Sequence, residues 1–255
     1  MADLPKTPNL RLDGRRAIVT GAGRGIGVAA AAALAEAGAE VTLVARSARE
    51  IQDVADSIRA SGGKAEALCL DVTDVEKVEA TISAAEPFDI LINNAGTNRP
   101  GPFIEMAMAD YDLVMGINVR AAFAMAQAVS RRLIQVGKGG SIIHVSSQMG
   151  HVGAANRTIY CASKWAIEGF SKALAVELAP YGIRSNTLCP TFIETPMTKP
   201  FFEDPAFKAS VLSKIKLGRL GQPEDLMGAV LFLASDASAL MTGASLVIDG
   251  GWTAD

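Results

Sequence analysis

The sequence predicts an α/β protein built on one doubly wound parallel sheet of about seven strands, with helices on both faces. Three observations predict it. Short runs rich in β-branched residues alternate with longer helical stretches along the chain. The strand runs are apolar almost throughout, as burial on both faces of a parallel sheet requires. No Pro/Ser linker, internal repeat or low-complexity segment interrupts the 255 residues, so one domain over 1–255 is expected rather than two.

The elements follow in order. Residues 15–20 (RRAIVT) form the first strand, and a Gly-rich turn leads into a helix from about 26 to 37, closed by Gly38. Residues 40–45 (EVTLVA) are the second strand, and a helix over about 48–60 ends at Gly62-Gly63. The third strand is 65–72 (AEALCLDV), with a helix over 75–84 behind it, and the fourth is 89–96 (DILINNAG). A long helical stretch covers 108–136. The fifth strand is 141–147 (SIIHVSS), its helix covers about 160–178, and the sixth strand is 183–188 (IRSNTL). A mixed segment leads to a helix over 223–233, and 245–249 (SLVID) is a short last strand. Ligands of such sheets sit at the carboxyl ends of the strands.

Composition narrows the function classes. Hydrophobic residues make up 49% and charged residues 20%, the balance of a well-cored soluble protein. The net charge of -3 is interleaved along the chain, with neither a basic stripe for nucleic acid nor a polybasic cluster for a membrane surface. Cys69, Cys161 and Cys189 are odd in number and widely spaced, so neither a disulfide framework nor a metal site is expected. The first ten residues carry no signal-peptide run, and the Ala-rich stretch 28–37 is too short to cross a bilayer. A cytoplasmic protein is expected.

The turn after the first strand reads Thr20-Gly21-Ala22-Gly23-Arg24-Gly25-Ile26-Gly27. Glycines between a strand and a helix let the backbone approach a pyrophosphate, and the helix N-terminus supplies free N–H donors. The spacing of Gly21, Gly25 and Gly27 is TGxxxGxG rather than GxGxxG, and the bland alternative is a tight βα turn without a ligand. The second strand ends Ala45-Arg46-Ser47 with no acid. A ribose 2′-hydroxyl wants a carboxylate there and a 2′-phosphate wants arginine, so Arg24 and Arg46 favour NADP(H), with NAD(H) as the alternative. Solvated surface charge is the other reading of both arginines. Asp71-Val72 suits the adenine edge, or serves as a turn acid or helix cap. Asn93-Asn94-Ala95-Gly96 suits close backbone approach to a cofactor, or marks a turn.

Ser147 ends the fifth strand, and Tyr160-Cys161-Ala162-Ser163-Lys164 opens the following helix. Residues four apart share a helix face, so Tyr160 and Lys164 can enter one cavity. A free phenol titrates near pH 10, and a nearby ammonium lowers that value. Hydride transfer to a carbonyl leaves an alkoxide-like oxygen, which Tyr160 would protonate while the Ser147 hydroxyl polarises it. Taken alone, a Tyr-x-x-x-Lys spacing is equally an ordinary surface helix.

The ordered set is far more specific. TGAGRGIG at 20–27, Asp71-Val72, NNAG at 93–96, Asn118, Ser147 and YCASK at 160–164 resemble, in order, the motifs of the classical short-chain dehydrogenase/reductase family. The resemblance implies a Rossmann-type fold and transfer of a hydride between a nicotinamide cofactor and a carbonyl/alcohol pair. It makes Asn118, Ser147, Tyr160 and Lys164 the catalytic set. The Asn118 backbone would hold a water in a proton relay through Lys164, and Lys164 would also bind the nicotinamide ribose. Gly21, Arg24, Gly25, Ile26, Gly27, Arg46, Asp71, Val72, Asn94, Ala95 and Gly96 would bind the cofactor. So would Tyr160, Lys164, Pro190, Ile193 and Thr195, the last two at the carboxamide. The family has Pro-Gly where this chain has Pro190-Thr191.

The resemblance places the substrate pocket among the loops after NNAG and Ser147 and a substrate-loop segment at about 191–221. Asn98, Gln148, His151 and Arg157 are its polar candidates, and they suggest a sugar, sugar acid or small hydroxy-ketone. A loop histidine without a ligand is the alternative for His151, and a subunit contact for Arg157. His144 reads as a packed core residue. The small apolar residues of the helices over 111–132 and 160–178 suggest burial on both sides, and the resemblance implies that these helices pair between subunits in a homotetramer. Two other functions stay open: reduction of an acyl-carrier-protein thioester, docked on Arg131, Arg132 and Lys138, and a non-catalytic dinucleotide sensor.

Overall fold

A computed structural model describes residues 3–254. Seven strands form one parallel sheet: β1 (Arg16–Thr20), β2 (Glu40–Ala45), β3 (Lys64–Cys69), β4 (Ile90–Asn93), β5 (Gly140–Val145), β6 (Ile183–Pro190) and β7 (Ser245–Ile248). Their order is β3-β2-β1-β4-β5-β6-β7. The chain winds outward one way from β1 to β3, then crosses back to β4 and winds the other way. The crevice at that reversal, between the ends of β1 and β4, is where such sheets hold ligands.

The period-2 geometry of a strand splits the core in two. Val19, Ile90, Ile92 and Ile143 face one side, against Leu34 of α1 (Ile26–Glu36), Ile51 of α2 (Ala48–Ala60) and Leu233. Their neighbours Ile18, Leu91 and Ile142 face the other. There they meet Val78 and Ile82 of α3 (Val75–Ala84) and Met125, Val129 and Leu133. Side chains cap the helices where the sequence supplies them: Ser47 accepts from Glu50 N at the start of α2, and Asp74 from Lys77 N at the start of α3.

Several boundaries move. The third strand stops at Cys69 rather than 72, because Asp71 turns the chain by accepting from Thr73 N. The fourth ends at Asn93, which leaves Asn94-Ala95-Gly96 in the crevice. The long helix 108–136 is three pieces: α4 (Met108–Met115), a π-helical stretch (Gly116–Ala121) and α5 (Ala122–Gln135). By length and composition Met108–Gln135 would suffice to cross a membrane, but its buried face packs on the sheet as core. The next helix, α6 (Thr158–Leu178), starts before Tyr160. The mixed segment holds an unforeseen helix, α7 (Pro205–Lys214), capped by Asp204 with Pro205 at its first turn. The helix expected over 223–233 is a 3-10 turn (Pro223–Leu226) running into α8 (Met227–Ala234).

Candidate active site

A cleft of about 570 Å³ opens across the carboxyl ends of the strands. At one end lies the Gly-rich turn. Gly21 sits at φ 64°, and a Cβ there would stand 2.9 Å from the Ala95 Cα. A Cβ on Gly27 would stand 2.3 Å from the Gly21 carbonyl oxygen. The turn therefore folds onto itself and onto the end of β4 with no room for a side chain. Gly27 serves that packing and does not line the cleft, whereas Gly21, Arg24, Gly25 and Ile26 do. Gly25 caps α1 without a side-chain acceptor, and no acid occupies the first turn, so the N–H groups there face the cleft unneutralised.

The end of β4 braces this turn. Thr20 Oγ1 accepts from Asn94 N and Ala95 N, each at 3.0 Å, and Asn94 Nδ2 donates to the carbonyls of Thr20 and Gly21. The Asn94 side chain thus holds the turn, while Ala95 and Gly96 present backbone to the cleft.

Arg46 and Ser47 line the cleft after β2, beside Asp71, whose carboxyl is held below the usual range first by Thr73 and, more weakly, by Arg46. Asp71 is thus the turn acid and a lining residue at once, with Val72 next to it. Neither Arg24 nor Arg46 forms an ion pair among the described residues. Sequence reasoning missed Glu50, which lines the cleft here; its carboxylate lies where a Cβ on Gly23 would come within 2.9 Å.

The other end gathers Ser147, Tyr160 and Lys164. Ser147 follows β5; its Oγ accepts from Met149 N at 3.1 Å, donates to Gln148 Oε1 at 2.7 Å and reaches the Tyr160 hydroxyl. Lys164, one helical turn after Tyr160, is buried, and its Nζ donates to the Val145 carbonyl at 2.8 Å. The Lys164 Nζ lies 5.5 Å from the Tyr160 ring centroid. The expected depression of the phenol by this ammonium is not what the chain shows. Burial pushes Tyr160 up to about 12, opposed by the Ser147 hydrogen bond, and burial pushes Lys164 down to about 8, opposed by Cys189 and Glu168. Desolvation penalises both charged forms, and the amine is turned toward a carbonyl rather than the phenol.

Asn118 lies in the π-helical stretch, 3% exposed, and does not line the cleft. Its side chain is a brace: Oδ1 accepts from Thr97 N at 2.8 Å, and Nδ2 donates to Thr97 O and Ser163 Oγ, both at 3.0 Å. It ties the loop after β4 to the helix turn that carries Tyr160 and Lys164.

Pro190, Thr191, Ile193 and Thr195 form the facing wall. Thr195 comes close enough to Gly25 that a Cβ there would be 3.1 Å from its methyl, and its hydroxyl bonds Thr198. Asn98, Gln148 and Arg157 also line the cleft. His151 does not: its Nε2 lies 3.4 Å from Cys189 Sγ and 3.8 Å from Glu168, in a cluster behind the site. Nothing in the sequence ties His151 to residues so distant along the chain. These three side chains are close enough together to hold an ion, an arrangement absent from the sequence expectation. The thiol is pushed up to about 12, chiefly by burial, and donates to Glu168, so the cluster reads as a satisfied hydrogen-bond network.

The cleft fits a phosphate-bearing dinucleotide. It offers a bare helix N-terminus, two unpaired arginines and, at the far end, a buried Thr191 hydroxyl, Asn98 Oδ1 and Gln148 Nε2 without protein partners.

Comparison with known proteins gives the same frame. A family model described as enoyl-(acyl carrier protein) reductase matches residues 21–253. D-erythrulose reductase of Gallus gallus is 40% identical over 245 residues, 96% of this chain and 98% of that protein. L-xylulose reductase of Bos taurus is 39% identical over 246 residues, 96% and 99% of the two chains. The crystal structure of a gluconate 5-dehydrogenase from Burkholderia cenocepacia, in complex with NADP and tartrate, superposes with a TM-score of 0.93 at 36% identity, covering 96% of this chain and 98% of that one. With the fold, the ordered motifs and whole-length relatives in agreement, the chain belongs to the classical short-chain dehydrogenase/reductase family.

Proposed function

We propose that the protein moves a hydride between NADP(H) and a carbonyl/secondary alcohol on a small polar substrate: a sugar, sugar acid or hydroxy-ketone. The observation that carries this reading is the convergence of Ser147, Tyr160 and Lys164 at one end of a cleft whose other end holds a bare helix N-terminus with Arg24 and Arg46. NADP in the gluconate 5-dehydrogenase complex, and sugar-type activities among the relatives, support it.

When bound, NADP(H) supplies or accepts the hydride. The Tyr160 phenol, held at about 12, is protonated at neutral pH and donates to the oxygen that gains charge as a carbonyl is reduced. Ser147 polarises the same oxygen through its hydroxyl. Lys164, its Nζ 5.5 Å from the Tyr160 ring centroid, would return a proton to Tyr160 through the relay rather than by direct contact. The resemblance gives the Asn118 main chain a water-holding part in that relay, and the π turn there supports it, since such turns recur at functional sites. Asn98, Gln148 and Arg157 bind the substrate. The chain acts as one domain over 1–255, with 191–221 as its substrate-loop segment.

A second reading, reduction of an acyl-carrier-protein thioester, draws on the description of the family model. Its docking residues do not support it: Arg131 pairs with Glu79, Arg132 donates to the Ala85 carbonyl, and neither they nor Lys138 line the cleft. The proposal includes a cytoplasmic homotetramer. Free thiols at Cys69, Cys161 and Cys189 support the first part. Exposed Phe123 on α5 and Trp165 and Val176 on α6 support the second; a monomeric mass by light scattering would rule it out.

The test is NADP(H)- and NAD(H)-linked turnover over sugars, sugar acids, ketones and acyl thioesters, with Tyr160→Phe as the control. We expect the variant to lose about 10³-fold in turnover and to keep NADPH binding by fluorescence. A non-catalytic sensor would show no loss because there would be no turnover to lose.

A further inference from the structure

Arg157 is a buried cation without an anion. It is 7% exposed and pairs with no carboxylate among the described residues. Its protein acceptor is the Asn156 carbonyl, 3.1 Å from Nη1. The rings of Phe201 and Phe207 lie 5.2 and 5.8 Å from its Cζ, so the guanidinium rests against aromatic faces. Burial pulls its pKa below the ordinary guanidinium value, opposed by its neighbours Tyr160 and Cys161. A folded chain that desolvates a charge and leaves it unpaired gives up stability.

The backbone is built to aim it. Asn156 is the only non-glycine residue at positive φ, 59°, among those described. Its carbonyl accepts from Gly101 N at 3.1 Å as well as from Arg157, which pins the loop. Arg157 is the N-cap residue of α6, three residues before Tyr160, and lines the same cleft.

The surroundings decide what the cation meets. Gln148 is 1% exposed; its Oε1 is engaged by Ser147 and its Nε2 is unpartnered. Asn98 Oδ1 and Thr191 Oγ1 are buried and unpartnered too. The carboxylates that line the cleft, Glu50 and Asp71, are at the nucleotide end, and Arg99 at the rim is paired with Asp110 at 3.6 Å. One planar fork flanked by neutral hydrogen-bonding groups matches a singly charged carboxylate with hydroxyls around it. A phosphate dianion calls for a second free cation; at this end of the cleft Lys164 donates to the Val145 carbonyl and Arg99 is held by Asp110.

We infer that Arg157 anchors a carboxylate of the substrate, so that the reaction acts on a hydroxy- or keto-acid of the aldonate type in preference to neutral sugars and polyols. The inference rests on the hydride-transfer reading above and narrows its substrate class.

The experiment compares wild type, Arg157→Met and Arg157→Lys, each checked for a cooperative melt. Oxidation of a six-carbon aldonate and of the alditol of the same length is measured, along with oxidation of a sugar phosphate. Malonate, which cannot react, is titrated calorimetrically into the NADP-loaded protein. We expect wild type to prefer the aldonate, and Arg157→Met to lower the aldonate-to-alditol efficiency ratio about 100-fold, mostly through KM. Arg157→Lys should recover the ratio to within about tenfold of wild type, and malonate binding should vanish in Arg157→Met. An unchanged ratio, undiminished malonate binding in Arg157→Met, or a wild-type preference for the sugar phosphate overturns the inference. Absence of turnover on any alcohol sinks the hydride-transfer reading instead, while the malonate titration still decides the anchor.

Discussion

The Lys164 ammonium donates to the Val145 carbonyl at 2.8 Å, at the end of the strand that delivers Ser147. This bond fixes the amine one turn below Tyr160 and buries it, and burial is what pushes its pKa down to about 8, against Cys189 and Glu168. The unfolded chain holds that proton to about pH 10.5, so between pH 8 and 10.5 the unfolded state binds more protons and stability rises with pH. At pH 7 the charge costs the fold up to about 3 kcal/mol, and the Val145 hydrogen bond returns about 1 kcal/mol. Lys164→Met should therefore be more stable than wild type by about 2 kcal/mol at pH 7, with the gain gone by about pH 10.5. Denaturant unfolding at the two pH values checks this; equal effects at both would refute the buried-charge account.

At the nucleotide end, Arg46 and Glu50 should act with opposite sign on one phosphate. Arg46→Ala removes a guanidinium and should weaken NADPH about tenfold, about 1.4 kcal/mol, with little change for NADH. Glu50→Gln removes a like charge from the same wall of the cleft and should tighten NADPH about threefold, or about 0.7 kcal/mol. Fluorescence titration with both nucleotides separates the effects. If either variant moves NADH and NADPH together, the two-arginine argument for a 2′-phosphate fails.

His144 sits near the end of β5, 1% exposed, with Nδ1 at 3.3 Å from Asn93 Nδ2 and its ring edge-on to Phe170 at 5.3 Å. Burial drives its pKa down to about 4, with Glu168 opposing and Lys164 assisting. The folded state keeps this ring neutral while the unfolded chain protonates it near 6.5, so its contribution is present above that pH and is lost as pH falls toward 4. The loss amounts to about 3 kcal/mol. His144→Leu should flatten that limb of the stability profile between pH 7 and 4. A profile parallel to wild type would place the acid sensitivity elsewhere.

The fold and the ends of the cleft were legible in the chain. Apolar strand runs and their spacing give a doubly wound sheet, and the motifs at Gly21, Asp71, Asn94 and Ser147 follow strand ends, which a parallel sheet brings to one edge. His144 read as core because it stands mid-strand between apolar neighbours. Local periodicity does not encode a π turn at Gly116–Ala121, since six residues are shorter than the window over which an apolar period can be read. Nor does it encode α7, whose faces are set by Phe192 and Trp252 from other parts of the chain.

What the sequence determined by itself is which groups the site owns: a Gly-rich turn, two arginines, a serine, and a tyrosine and lysine one turn apart. Side-chain type and helical spacing are local properties, and they suffice for that. Tertiary structure decided which way each group faces and what charge it carries. It turned His151 from the cleft to Glu168 and Cys189, brought Glu50 beside Gly23, and left Arg157 unpaired. It also set Tyr160 and Lys164 at about 12 and about 8. Burial and partnership are sums over residues far apart along the chain, and protonation follows from those sums.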